Sequence, residues 1–186
     1  MQRDGGESME LAEQTVSSAL VYSGRFLKVY RDEARLPDGA AAVREVVRHP
    51  GAVVVVPVDE AGNVHLVRQY RYPCARVLLE VPAGKLEPGE EAQAAAAREL
   101  LEETGARAEE WLPLGRLLPT PGFCDEVQHI YLARGLHVGK ARPDEDEFLE
   151  QVVMPMDEAC AMALDGRIED AKTVAALLRA RDRKGE

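Results

Sequence analysis

The sequence predicts a mixed α/β sandwich preceded by a small antiparallel sheet, and three observations predict it. Residues 51–58 (GAVVVVPV) form a continuous apolar run, as expected of a central strand buried on both faces. Residues 90–104 are rich in Ala, Leu, Glu, Gln and Arg, all strong helix formers, and two further helical stretches lie near the end of the chain. Between these segments, short strand-like runs alternate with Gly, Pro, Asn and Asp turn signals.

Taken in order, residues 19–29 and 31–36 read as strands, followed by a Pro37-Asp38-Gly39 turn and a short strand over 43–48. These runs suggest a sheet of their own, so residues 1–48 are expected to form an N-terminal extension and 49–186 the main domain. After the central strand, a turn over 59–63 leads into a strand at 64–70, and 77–81 enters a glycine-containing loop. Beyond the helix at 90–104, strands at 107–118 and 127–132 flank the loop PTPGFCDE. The acidic stretch ARPDEDE precedes a strand at 148–154, and residues 155–164 and 170–181 read as helices. No internal repeat or low-complexity linker interrupts this order.

Composition bounds the function. A chain of 186 residues with 46% apolar content suits one domain with a real core, and its apolar runs are too short to span a membrane. Residues 1–14 lack a basic start and an apolar segment, so no signal peptide is expected. Cys74, Cys124 and Cys160 form no C-x-x-C pair, which points to a reducing, cytoplasmic setting without structural zinc. His49, His65, His129 and His137 are scattered and read as structural. The net charge of −10, with no basic stripe, argues against nucleic-acid binding but not against a nucleotide neutralised locally by cations and arginines.

The most informative stretch is GKLEPGEEAQAAAARELLEETGA, residues 84–106. Pro88-Gly89 is a turn signal, Glu90 and Glu91 favour a helix N-terminus, and Gly105 supplies a left-handed stop. At about 100° per residue, Glu103 lies roughly 40° from Glu99 and Glu102 roughly 60° the other way. Ala94, Ala97, Leu100 and Leu101 are expected on the opposite, core-facing side. Three carboxylates within a turn or so repel one another, and a hard cation with oxygen ligands removes that cost. The spacing of Gly84 and Gly89 matches a phosphate-binding P-loop, but Glu90 and Glu91 stand where Lys and Ser or Thr are required, which excludes it.

Gly84, Glu90, Arg98, Glu99, Leu100, Glu102, Glu103 and Gly105 follow the spacing G-x5-E-x7-R-E-U-x-E-E-x-G-U, where U is aliphatic. Average residue usage puts a chance match on the order of 10⁻⁸ per starting position. This resembles the Nudix box, with Ala106 a small residue at the closing aliphatic position. The resemblance implies an α/β/α sandwich with a mixed sheet, and hydrolysis dependent on Mg²⁺, with Mn²⁺ as a substitute and more than one ion per site. It makes Glu99, Glu102, Glu103 and the Ala83 carbonyl metal ligands, with Gly84 opening the loop and Glu90 and Arg98 holding it.

Two further segments are similar to those of one Nudix subfamily, the ADP-ribose pyrophosphatases. Pro119-Thr120-Pro121-Gly122-Phe123-Cys124-Asp125-Glu126 resembles their proline-containing signature, with Thr120 where Ser is more usual, and places Pro121, Gly122 and Glu126 at the substrate. The run Pro143-Asp144-Glu145-Asp146-Glu147 resembles their acidic catalytic loop, which implies Glu145 as the base and Glu147 as a metal-side helper, alongside Glu102. Arg71, with Arg68 as the alternative, is implied at the phosphates. Tyr22, Arg25, Arg44 and Glu45 are implied at the nucleoside, contributed across a homodimer with exchanged N-terminal strands. The activity implied is hydrolysis of ADP-ribose to AMP and ribose 5-phosphate. Another nucleoside diphosphate sugar such as GDP-mannose is the alternative substrate, and a non-catalytic ADP-ribose sensor the alternative class.

Overall fold

A computed structural model of the chain describes residues 11–142 and 148–183. The chain forms two compact units: residues up to His49 with 120–125, and residues 50–119 with those from Glu126 onward.

The first unit is an antiparallel meander of β1 (Gln14–Ser23), β2 (Lys28–Arg35) and β3 (Ala41–Arg48). The strand expected over 19–29 is in fact two. A tight turn, closed by the Gly24 N–H donating to the Leu27 carbonyl at 2.8 Å, reverses the chain after Ser23. Every residue of β1 is exposed, so no alternation of apolar and polar residues marks where it begins. Residues 120–125 join this unit through main-chain bonds to Val47, one from its N–H to the Phe123 carbonyl at 2.8 Å and one back from Asp125 at 3.2 Å. Arg48 adds ion pairs to Asp125 at 3.2 Å and to the buried Asp32 at 3.1 Å.

The second unit holds a four-stranded mixed sheet and a three-stranded antiparallel one. The first runs in the order β7 (Ala83–Lys85), β4 (Ala52–Pro57), β9 (Gln128–Val138), β8 (Ala106–Leu117), with β4 and β9 parallel. The second runs β10 (Leu149–Pro155), β5 (Asn63–Arg71), β6 (Arg76–Glu80). Strand β4 explains the apolar run. Val54 and Val56 pack with Leu66, Ile130, Met156 and Leu177, under α2 (Met156–Asp165) and α3 (Ala171–Arg181). Val53 and Val55 face the other way, against Ala95, Ala96 and Leu100 of α1 (Ala92–Thr104). The result is the expected α/β/α layering around a strand buried on both sides.

Two elements differ from expectation. Strand β9 runs past Leu132 to Val138 because β8 pairs with it along its whole length, from Leu117↔Gln128 to Ala106↔Val138. Strand β7 is only three residues, too short to carry a periodic signal, and is defined by its pairing with β4. Among the described residues, no helix is long and apolar enough to cross a membrane.

Candidate active site

Helix α1 and the loop before it build the site. Glu87-Pro88-Gly89-Glu90 forms a turn, with the Glu90 N–H donating to the Glu87 carbonyl at 3.0 Å and the Glu90 carboxylate accepting from the Glu87 N–H at 3.0 Å. Arg98 then ties this turn to the helix. Its Nε and Nη2 donate to the two Glu90 oxygens at 2.9 Å each, and Nη2 reaches the Lys85 carbonyl at 3.1 Å. Its Nη1 donates to Glu99 at 2.7 Å and to Glu102 at 3.1 Å. The hydrogen bonds from Arg98 are the main cause that holds the Glu90 carboxyl down to about 2.

At its C-terminus the helix stops at Gly105, whose φ of 72° lets its N–H close on the Leu101 carbonyl. A Cβ there would also lie 2.6 Å from main-chain atoms of residues 139–141, so both conformation and space demand glycine.

The buried face of α1 is not the one expected. Ala94 and Ala97 are exposed and Leu101 only half-buried, whereas Ala95, Ala96, Leu100, Glu103 and Thr104 are buried. Ala92, Ala95, Ala96, Glu99, Leu100 and Glu103 form one i, i+3, i+4 stripe, so the carboxylates extend the core-facing side rather than oppose it. Small alanines let the helix lie close to the sheet, and this draws Glu103 down to 4% exposure. The Glu99 carboxylate sits directly over Gly84: a Cβ at residue 84 would meet its Oε1 at 1.9 Å. The glycine therefore makes room for a carboxylate. Ala83, immediately before it, is held in β7 opposite Val54.

These groups suit a hard divalent cation chemically, because they are carboxylate oxygens and a main-chain carbonyl. Among the described residues, no three His, Cys, Asp or Glu side chains are gathered closely enough to hold an ion as they stand. Arg98 bridges Glu99 and Glu102 instead, supplying positive charge between them.

Arg71 lies on β5 in the same unit and is 38% exposed. Its Nε and Nη2 donate to both oxygens of Glu80 at 2.8 and 2.6 Å. Its pKa is raised chiefly by those bonds, against the cost of burial, with smaller contributions from the charges of Glu80, Asp170 and Glu103. Arg68 points elsewhere, to an exposed ion pair with Glu150 at 3.0 Å. Glu126 accepts from the Gln128 amide at 2.9 Å. In the first unit, Tyr22 folds back over Gly24, Arg25 is exposed in the turn, Arg44 pairs with Glu13 at 2.6 Å, and Glu45 is exposed on β3. Pro121 and Gly122 form an exposed turn closed by the Cys124 N–H on the Thr120 carbonyl at 3.0 Å. Glu145 and Glu147 lie outside the described residues.

A profile of the NUDIX domain matches residues 47–177, and one of the nucleoside diphosphate sugar hydrolase N-terminal domain matches residues 13–47. The chain belongs to the Nudix family. Relatives of this Nudix protein include the ADP-ribose pyrophosphatase of Bacillus subtilis (strain 168), 40% identical over 169 residues that cover 90% of this chain and 91% of that one. The methanol dehydrogenase activator of Bacillus methanolicus is 42% identical over 167 residues, covering 89% and 90%. A crystal structure of an ADP compounds hydrolase superposes with a TM-score of 0.84 at 27% identity, covering 96% of each chain.

Sequence reasoning missed Glu80, Lys172 and Asp170, which surround Arg71. The available signal was Glu80 itself, an acid closing the apolar strand RVLLE. A charge at a buried strand position requires a buried partner.

Proposed function

We propose that this Nudix hydrolase cleaves the diphosphate bond of ADP-ribose to AMP and ribose 5-phosphate with Mg²⁺, or Mn²⁺ in its place. The observation that carries this reading is the carboxylate stripe of α1 held over Gly84, facing a loop fixed by Arg98. The similarity to ADP-ribose pyrophosphatase and the match of residues 13–47 to a nucleoside diphosphate sugar hydrolase domain support the substrate class.

Glu99, Glu102, Glu103 and the Ala83 carbonyl would hold the ions. Divalent cations, when bound, neutralise the diphosphate and polarise its phosphorus–oxygen bonds as Lewis acids. The chain's own residues do the rest. Gly84 keeps the loop backbone close to Glu99. Arg71 presents a guanidinium edge to the phosphate oxygens, a geometry suited to bidentate recognition, and Arg68 is the alternative. Glu145 takes the proton of the attacking water, with Glu147 assisting on the metal side. Pro121, Gly122 and Glu126 border the substrate. Tyr22, Arg25, Arg44 and Glu45 hold the nucleoside within a cytoplasmic homodimer that exchanges N-terminal strands.

Incubation with ADP-ribose and Mg²⁺ should release AMP rapidly and in an EDTA-sensitive manner, as followed by chromatography of the nucleotides. Faster GMP release from GDP-mannose would reassign the substrate within the class. Tight binding of ADP-ribose without metal-dependent turnover would indicate a sensor.

A further inference from the structure

The second unit contains a charge cluster that the metal helix does not use. The Glu80 carboxylate is 1% exposed, and both its oxygens accept from Arg71. Lys172, 12% exposed on α3, donates to Glu80 and also to Asp170, the latter at 3.0 Å. Asp170 caps α3 by accepting from the Thr173 N–H at 3.0 Å, and the buried Thr173 hydroxyl accepts from the Val81 N–H at 3.0 Å. The end of β6 is thereby docked on the start of α3 by side chain and main chain together.

We propose that Lys172 is a positioning residue for the diphosphate, acting through Glu80 on Arg71. The proposal rests on Arg71 as the phosphate-binding arginine. A guanidinium in bidentate contact with a buried carboxylate is fixed in orientation, but its charge is largely cancelled and it attracts anions poorly. Lys172 supplies the second cation on the same carboxylate, so Glu80 can orient Arg71 without neutralising it. Asp170 and Glu103 also act on Arg71, but as smaller charges than Glu80, and the helix N-terminus that Asp170 caps offsets part of its charge. The Arg71 Nη1 edge, unused by Glu80, remains for an anionic oxygen. Although burial alone would raise the Glu80 pKa, the Arg71 hydrogen bond and the Lys172 charge reverse this and hold it below the ordinary carboxylate range, so Glu80 stays an anion between two cations.

The alternative is a staple that joins β6 to α3 and does nothing for the substrate. Steady-state kinetics with ADP-ribose and Mg²⁺ separate the two. Lys172→Met should raise KM roughly tenfold, the effect of losing one charge-assisted interaction, while kcat changes much less. Lys172→Arg should restore KM. In an Arg71→Ala background, Lys172→Met should add nothing, because its effect passes through Arg71. A lowered melting temperature with unchanged KM would overturn the proposal, as would an equal rise in KM in both backgrounds. Should Lys172→Met not fold, Lys172→Gln keeps a donor, removes the charge and is judged by the same outcomes. Arg71→Ala with an unchanged KM would instead remove the phosphate reading of Arg71, and the Lys172 proposal with it.

Discussion

Arg98 and Arg71 are both half-buried arginines that grip carboxylates, yet they differ in what they leave over. Arg98 distributes its donors over Glu90, Glu99, Glu102 and the Lys85 carbonyl. It closes a loop and quiets the repulsion among helix carboxylates. Arg71 directs its Nε and Nη2 donors at one carboxylate, Glu80, which is nearly inaccessible and is shared with Lys172. The contrast teaches that an arginine among several acids acts as internal scaffolding. An arginine backed by one buried acid and a second cation is instead held in one orientation, which is the arrangement the proposed phosphate role of Arg71 requires.

The largest effect should come from the carboxylates on the sheet-facing stripe of α1, Glu99 beside Arg98 and the buried Glu103. Glu99→Gln and Glu103→Gln keep the shape of the site and remove the charge that the proposed divalent ions need. Turnover of ADP-ribose should fall by roughly 10²–10³-fold, the scale of losing one preorganised electrostatic partner. Circular dichroism and the melting temperature should show the fold retained. If either variant kept near wild-type turnover, that residue's place among the metal ligands would be wrong.

Gly84→Ala should come next. The added methyl would occupy the position of the Glu99 carboxylate, 1.9 Å from its Oε1, so Glu99 must swing away. Displacement of a ligand by about 1 Å can cost on the order of 10²-fold in rate. If Glu99 is a metal ligand as proposed, saturating Mg²⁺ should recover little of this loss, because the carboxylate is misplaced rather than weakened. Full activity at ordinary Mg²⁺ would show that Glu99 does not need to lie over residue 84.

The box was legible in the sequence because its residues are close in the chain and its spacing is set by one helix. Glu90, Arg98, Glu99 and Glu102 meet across a single turn and loop. The central strand was legible because being buried on both sides leaves an unbroken apolar run. The cluster around Arg71 was not, since Glu80 and Lys172 are 92 positions apart and meet only through the packing of α3 against the end of β6. The buried side of α1 was misread for a related reason. Alanine fits either side of a helix, so only the sheet decides which alanines are covered, and it covers Ala95 and Ala96. Strand β1 gave no pattern because all ten of its residues are exposed.

The smallest effect, and the one that isolates the scaffolding role of Arg98, is a pH dependence. Glu90 has a folded-state pKa of about 2, lowered from 4.5 chiefly by the Arg98 hydrogen bonds and next by the main-chain bond at Glu87. A depressed carboxylate pKa means that the unfolded chain binds the proton more readily than the folded one. The stabilisation from the clasp is therefore fully present above about pH 4.5 and is lost as pH falls towards 2. Glu90→Gln cannot be protonated and should be less stable than wild type at pH 6. The difference in urea midpoint between the two proteins should narrow steadily from pH 4.5 downward as the wild-type clasp is protonated. A difference that stayed constant from pH 6 to pH 3 would mean that Glu90 contributes through shape and neutral hydrogen bonds. The ion pair with Arg98 would then do no more for the loop than a glutamine does.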